Sequence, residues 1–142
     1  MGAAAGETFA ALSSEYLLSA GASCYEQKEF TEALHLFADA LQIWRSSRLA
    51  RILEPKVGWI ANTMQWACLH QVGTESDALP FLQAAAETPD WTCFNRCERW
   101  LQFLREAYAQ GNERHVQAAF RGSIKHCSWW NTELRHWKGE LR

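Results

Sequence analysis

The chain has 142 residues, of which 48% are hydrophobic and 21% are charged. This balance predicts a globular protein with one sizeable core and excludes a disordered chain. The net charge is -2, whereas dedicated nucleic-acid binders carry a basic surplus. No apolar run reaches the roughly 18 residues that a membrane-spanning helix needs. We therefore expect a protein with no nucleic-acid partner and no membrane span.

Apolar residues recur every three or four positions along the chain, which is the spacing of one helix face. Phe9, Leu12 and Tyr16 form such a stripe in the first predicted helix. Only three prolines and eight glycines interrupt the chain, and this scarcity favours long helices. We predict an all-α fold of six to seven helices in a single domain, residues 1–142. In chain order it contains a first hairpin (7–53), a second hairpin (55–88), a third hairpin (91–126) and a terminal helix (127–142).

Several residues mark the ends of these helices. In the first hairpin, the second helix is predicted to run from about 30 to 53, and Thr31 could cap its amino terminus. Pro55 fits the first turn of the next helix, because its missing N–H is not needed there. Gly111 can adopt the left-handed conformation on which helices often end. Asn131 is a plausible amino-terminal cap of the terminal helix.

Gly21, Ala33, Phe37 and Ala40 are separated by twelve, four and three residues. Tetratricopeptide repeats have small and aromatic residues at the same separations, so the first hairpin resembles that family. The resemblance implies that helices approach closely at the small residues and that Phe37 fills the gap to the next hairpin. It also implies antiparallel hairpins stacked as a short α-solenoid. A generic array of helical hairpins remains an alternative, because Leu17, Ala20 and Cys24 depart from the family's pattern.

In the repeat family, the first helices of successive hairpins line a concave groove. The resemblance therefore implies that the partner-binding residues include the matching positions Leu18, Tyr25, Met64, His70, Arg105 and Tyr108. Apolar residues in the first hairpin favour a partner helix or extended peptide over a clamped carboxylate. The alternative is that the groove is filled by the tail of the chain itself.

Eight tryptophans are unusual in a chain of this length, and tryptophan is enriched at contact surfaces. Trp130 and Trp137, together with Leu134, could cap the last hairpin or anchor a partner, and we favour capping. Trp129 and Trp130 are adjacent, so both cannot point inward from one helix. Trp129, Trp130 and Trp137 are thus further candidate partner-binding residues.

The five cysteines are an odd number, scattered through helical segments. This pattern predicts free thiols in an intracellular reducing compartment, most simply the cytoplasm. Cys93 and Cys97 share a helix face but lack the second tight pair of a structural zinc site. No nucleophile with a flanking histidine signature and no glycine-rich phosphate loop occurs. We expect no metal, no cofactor and no catalysis.

These observations favour a non-enzymatic adaptor or scaffold that binds another protein through an apolar groove or through its tryptophan-rich end. The alternative is a structural subunit, buried in a large multiprotein assembly. Either function allows homo- or hetero-oligomers.

Overall fold

The computed structural model describes residues 3–73, 77–90 and 95–141, with the side chains of residues 3–5 left out. The predicted all-α class is confirmed, because these ranges contain helices and no strand. They contain eight helices where six to seven were predicted. The helices are α1 Ala3–Glu26, α2 Phe30–Ser46, α3 Arg48–Leu53, α4 Pro55–Gln71, α5 Leu79–Glu87, α6 Arg96–Ala109, α7 Glu113–His126 and α8 Thr132–Glu140.

The chain divides into two compact units, Met1–Thr92 and Cys93–Arg142. The first unit contains α1 to α5 and the second contains α6 to α8. That residues 1–142 form a single domain stays a prediction.

The core of the first unit is built where small residues let helices approach. α1 packs against α2, and α2 packs against α4. A Cβ atom built on Gly21 would lie 2.8 Å from Cε1 of Phe37, so only glycine fits this position without displacing the ring. Phe37 is fully buried and shares a cluster with Ala33 and with Cys68 of α4. Ala40 is also fully buried.

The buried face of α1 differs from the stripe that the sequence predicts. Ala11, Ser14 and Gly21 are buried, and Leu18 packs against both core clusters of the first unit. These four residues are spaced three, four and three apart, so they form one helix face. The close approach of the Phe37 ring requires glycine at position 21 of that face, whereas Phe9, Leu12 and Tyr16 lie outside it.

The predicted second helix is interrupted at Ser47. This residue is extended, with φ -119° and ψ 117°, and its hydroxyl accepts a hydrogen bond from the Ala50 amide at 3.1 Å. The cap ends α2 and begins α3, which accounts for the extra helix. Trp44 Nε1 donates to the Glu54 carbonyl at 2.8 Å, and α4 begins at Pro55 as predicted.

Two further predictions concern the amino termini of α2 and α8. Thr31 does not cap α2, because the helix already begins at Phe30. The predicted terminal helix of residues 127–142 is shorter, since α8 begins at Thr132. Asn131 is its amino-terminal cap, as predicted.

In the second unit, α6 packs against α7 around buried residues of α6 such as Trp100 and Leu104. Gly122 of α7 lies directly against the Trp100 ring. The two helices are joined through Gly111, which has the predicted left-handed φ of 66°. Asn112 then caps α7, its Oδ1 accepting from the His115 amide at 3.2 Å.

Candidate functional site

Trp129 and Trp130 lie in a four-residue turn between α7 and α8. The Asn131 amide donates to the Ser128 carbonyl at 2.9 Å, so the two tryptophans occupy the central positions. Their residues are 73% and 62% exposed. The rings meet edge to face, with centroids 5.6 Å apart and an interplanar angle of 86°. We call residues 128–131 the tryptophan turn. It exposes both rings, whereas a helix would turn one inward.

Both ends of the tryptophan turn are held in place. Cys127, which precedes it, forms a disulfide with Cys97 of α6. Asn131, which ends it, accepts from the Leu134 amide at 2.9 Å and so caps α8. Asn131 Nδ2 also donates to Cys97 Sγ at 3.7 Å. The same cysteine therefore contacts both ends of the turn, and the backbone beneath the two indoles is fixed.

The disulfide corrects the prediction of five free thiols, which is wrong for Cys97 and Cys127. It also does not support the predicted reducing compartment. Cys24 and Cys68 are free, while Cys93 lies outside the described residues. Burial raises the pKa of the Cys68 thiol to about 11. Cys68 therefore lacks the thiolate character of a catalytic nucleophile.

The last helix, α8, lies against α6. Leu134 and Trp137 are buried, and Trp137 meets Tyr108 edge to face with ring centroids 4.9 Å apart. Trp137 Nε1 donates to Glu133 Oε2 at 3.0 Å. Leu134 and Trp137 therefore pack within the second unit, whereas Trp130 is exposed. That they cap a last hairpin stays a prediction.

Arg105 and Tyr108, two predicted groove residues, contact this tail. Arg105 pairs with Glu98 and with Glu133 of α8, each at 2.6 Å. The Tyr108 hydroxyl donates to Glu140 Oε1 at 3.1 Å, and this hydrogen bond to a carboxylate raises the pKa of Tyr108. α8 therefore lies against two of the residues that were predicted to line the groove. That Arg105 and Tyr108 bind a partner stays a prediction.

The predicted groove residues of the first unit also have contacts within the chain. Leu18, Tyr25 and Met64 are half-buried and pack against the cluster around Phe37. His70 is exposed, and its ring stacks on Trp66 with centroids 5.3 Å apart. Their role in binding stays a prediction.

The apolar stripe predicted on α1 is an exposed face of the helix. Phe9, Leu12 and Tyr16 are 73%, 63% and 74% exposed. With Leu17 and Ile43 they line a shallow depression of about 450 Å³. The small residues spaced three and four apart on α1 were the signal that the larger ones would lie outside.

Within residues 3–73, 77–90 and 95–141, no three His, Cys, Asp or Glu side chains are grouped closely enough to hold a metal ion. No helix in the described part of the chain has the length and apolarity to cross a membrane. In comparisons with known proteins, no family model, no curated protein and no solved structure matches this chain.

Proposed function

We propose that this chain is a non-enzymatic protein-interaction module, an adaptor or scaffold, and that the tryptophan turn is its contact surface. The observation that carries the proposal is the pair of largely exposed indoles on a turn fixed at both ends. Exposed aromatic surface is costly in water, and tryptophan is the side chain most enriched among residues that dominate interface energy.

The geometry of the pair favours binding to a pocket. Each tryptophan side chain can bury roughly 150–250 Å², and at about 25 cal/mol per Å² this contributes several kcal/mol. The rings touch edge to face, so they project as one shape with little side-chain entropy to lose. A projecting pair of rings fits a concave apolar pocket on a partner protein. Binding of a partner helix or peptide in a groove of this chain is the second proposed mode of partner binding.

A double substitution tests this surface. Trp129→Ala/Trp130→Ala should weaken binding to a cross-linked and purified partner by at least about 30-fold, as loss of a dominant anchor does. The free energy of unfolding should change by no more than about 0.5 kcal/mol, because neither ring packs in the core. Ile124→Ala is the matched control, since Ile124 is an exposed apolar residue of the same unit. Undiminished binding by the double variant would contradict the proposal.

A second function, a subunit of a larger assembly, is favoured by the apolar face of α1. Three large side chains there are exposed beside a shallow depression, and such patches mark interaction sites. Light scattering on a sizing column separates the two functions. A stable monomer supports the adaptor, whereas self-association that Leu12→Glu abolishes supports the assembly subunit.

We further propose that the helices stack as a short solenoid of tetratricopeptide-like hairpins. The contact of Gly21 with Phe37 and the inclusion of Cys68 in the same cluster support this arrangement. An experimental structure tests it, because the two helices of each pair must run antiparallel and successive pairs must stack.

A further inference from the structure

We propose that the Cys97–Cys127 disulfide is a redox-controlled brace of the tryptophan turn. When oxidised, it holds the two indoles as a fixed surface; when reduced, it releases one end of the turn. The inference rests on the proposed function for its biological consequence, since it concerns control of the same surface.

The placement of the disulfide makes it a brace for this turn. Cys127 directly precedes the turn, and Asn131 ends it. Both contact Cys97 Sγ, one through the covalent bond and the other through a hydrogen bond from Nδ2. If the S–S bond breaks, Cys127 keeps its amide hydrogen bond to the Ser123 carbonyl at 2.9 Å. α7 therefore keeps its last hydrogen bond, and the segment that follows it gains freedom.

The surroundings of Cys97 favour the reduced form of the disulfide. Cys97 lies in the first turn of α6 and lines an open depression of about 440 Å³ beside Arg96 and His126. The positive end of a helix and a neighbouring guanidinium stabilise a thiolate. Glu98 lines the same depression, but its carboxylate is paired with Arg105. A stabilised thiolate in the reduced form makes a disulfide easier to reduce.

The reductant is a dithiol, either small or carried by a protein. One of its thiolates attacks Cys97 Sγ, forms a mixed disulfide and expels the Cys127 thiolate. Its second thiolate then attacks the mixed disulfide and expels the Cys97 thiolate. Two electrons pass to the chain, two protons come from the dithiol, and the reductant leaves as a disulfide.

Hydrogen exchange on the full-length chain tests the proposal without a partner. Dithiothreitol is the reductant, and non-reducing peptide mapping verifies the Cys97–Cys127 link beforehand. Reduction should speed exchange of the Leu134 amide, which depends on Asn131, by at least about tenfold. The His115 amide is the internal control, because Asn112 caps it in the same way without a disulfide nearby. Its exchange should stay unchanged.

A Cys97→Ser/Cys127→Ser variant should show fast Leu134 exchange with or without dithiothreitol, while a Cys24→Ser variant should respond like the wild type. Equal exchange of Leu134 in the oxidised and reduced chain, absence of the link, or equal acceleration at His115 would each overturn the proposal. Loss of partner binding in the tryptophan variant is a separate result. The hydrogen-exchange result can therefore refute the redox-controlled brace without refuting the proposed contact surface. The binding result can likewise refute the contact surface without refuting the brace.

Discussion

Gly21→Ala tests the contact on which the packing of α1 against α2 depends. The added Cβ would lie 2.8, 2.9 and 3.1 Å from three ring atoms of Phe37. Real Cβ contacts are longer, and the fully buried ring has no free space into which it can move. Overpacking of this kind costs about 1–3 kcal/mol. Replacing glycine by alanine inside a helix by itself stabilises the folded chain by about 0.5–1 kcal/mol.

Gly6→Ala is the matched control in the same helix, because nothing lies within 4 Å of a Cβ built there. It should leave stability unchanged or raise it by up to about 1 kcal/mol. The free energies of unfolding of the two variants should therefore differ by about 1–3 kcal/mol. Urea unfolding followed by far-UV circular dichroism measures this difference.

If the free energies of unfolding of Gly21→Ala and Gly6→Ala agree within about 0.5 kcal/mol, the packing argument is refuted. A double-mutant cycle then identifies the clashing group. Phe37→Leu shortens the side chain that Gly21 contacts, so it should cost less in the Gly21→Ala background than in the wild type. Additive effects would mean that the added methyl group does not meet this ring.

Three further predictions concern single side chains. Asn112→Ala should lower the free energy of unfolding by about 1 kcal/mol in urea, because the cap on the His115 amide is lost. Cys68, which is buried and has a pKa of about 11, should be alkylated by iodoacetamide only as the chain unfolds. Burial, followed by the charge of Arg96, lowers the pKa of His126 below 6.5. As the pH falls, the unfolded chain therefore protonates His126 at a higher pH than the folded chain does. Urea titrations should show the free energy of unfolding falling as the pH drops below about 6.5.

Each of these predictions has a control. Asn112→Asp keeps a capping oxygen and should retain most of the stability that alanine loses. Rapid labelling of Cys68 in the absence of urea would contradict its burial, and Cys24→Ser/Cys93→Ser removes the other two cysteines outside the disulfide. His126→Gln should flatten the pH dependence, whereas an unchanged slope would show that other groups cause it.

The helices could be predicted from the sequence because their signals are local. Apolar spacing of three and four, Pro55 at a first turn and Gly111 at a left-handed position act within a few residues. Asn131 was identified as a cap for the same reason. Thr31 was misplaced, and Ser47 was missed, since several residues near a helix end can cap and packing selects one of them.

The candidate site was found only in part. The abundance of tryptophan and the adjacency of Trp129 and Trp130 suggested a surface role. The prediction of one continuous terminal helix, however, left out the turn that exposes both rings. The apolar stripe of α1 was predicted but its exposure was not, because large apolar residues at helical spacing usually face a core. Here the buried face joins Leu18 to the small residues Ala11, Ser14 and Gly21, and the Phe37 ring leaves no room for a side chain at Gly21.

The sequence by itself determined the all-α class, the helix start at Pro55 and the helix-end roles of Gly111 and Asn131, because helix periodicity and capping depend on neighbours along the chain. Only the tertiary structure decided that Cys97 meets Cys127, that α8 lies against α6, and that Phe9, Leu12 and Tyr16 of α1 face outward. Each of these depends on which helix faces approach one another. Contacts between residues distant in sequence are selected by packing, and local spacing does not specify which helix faces meet.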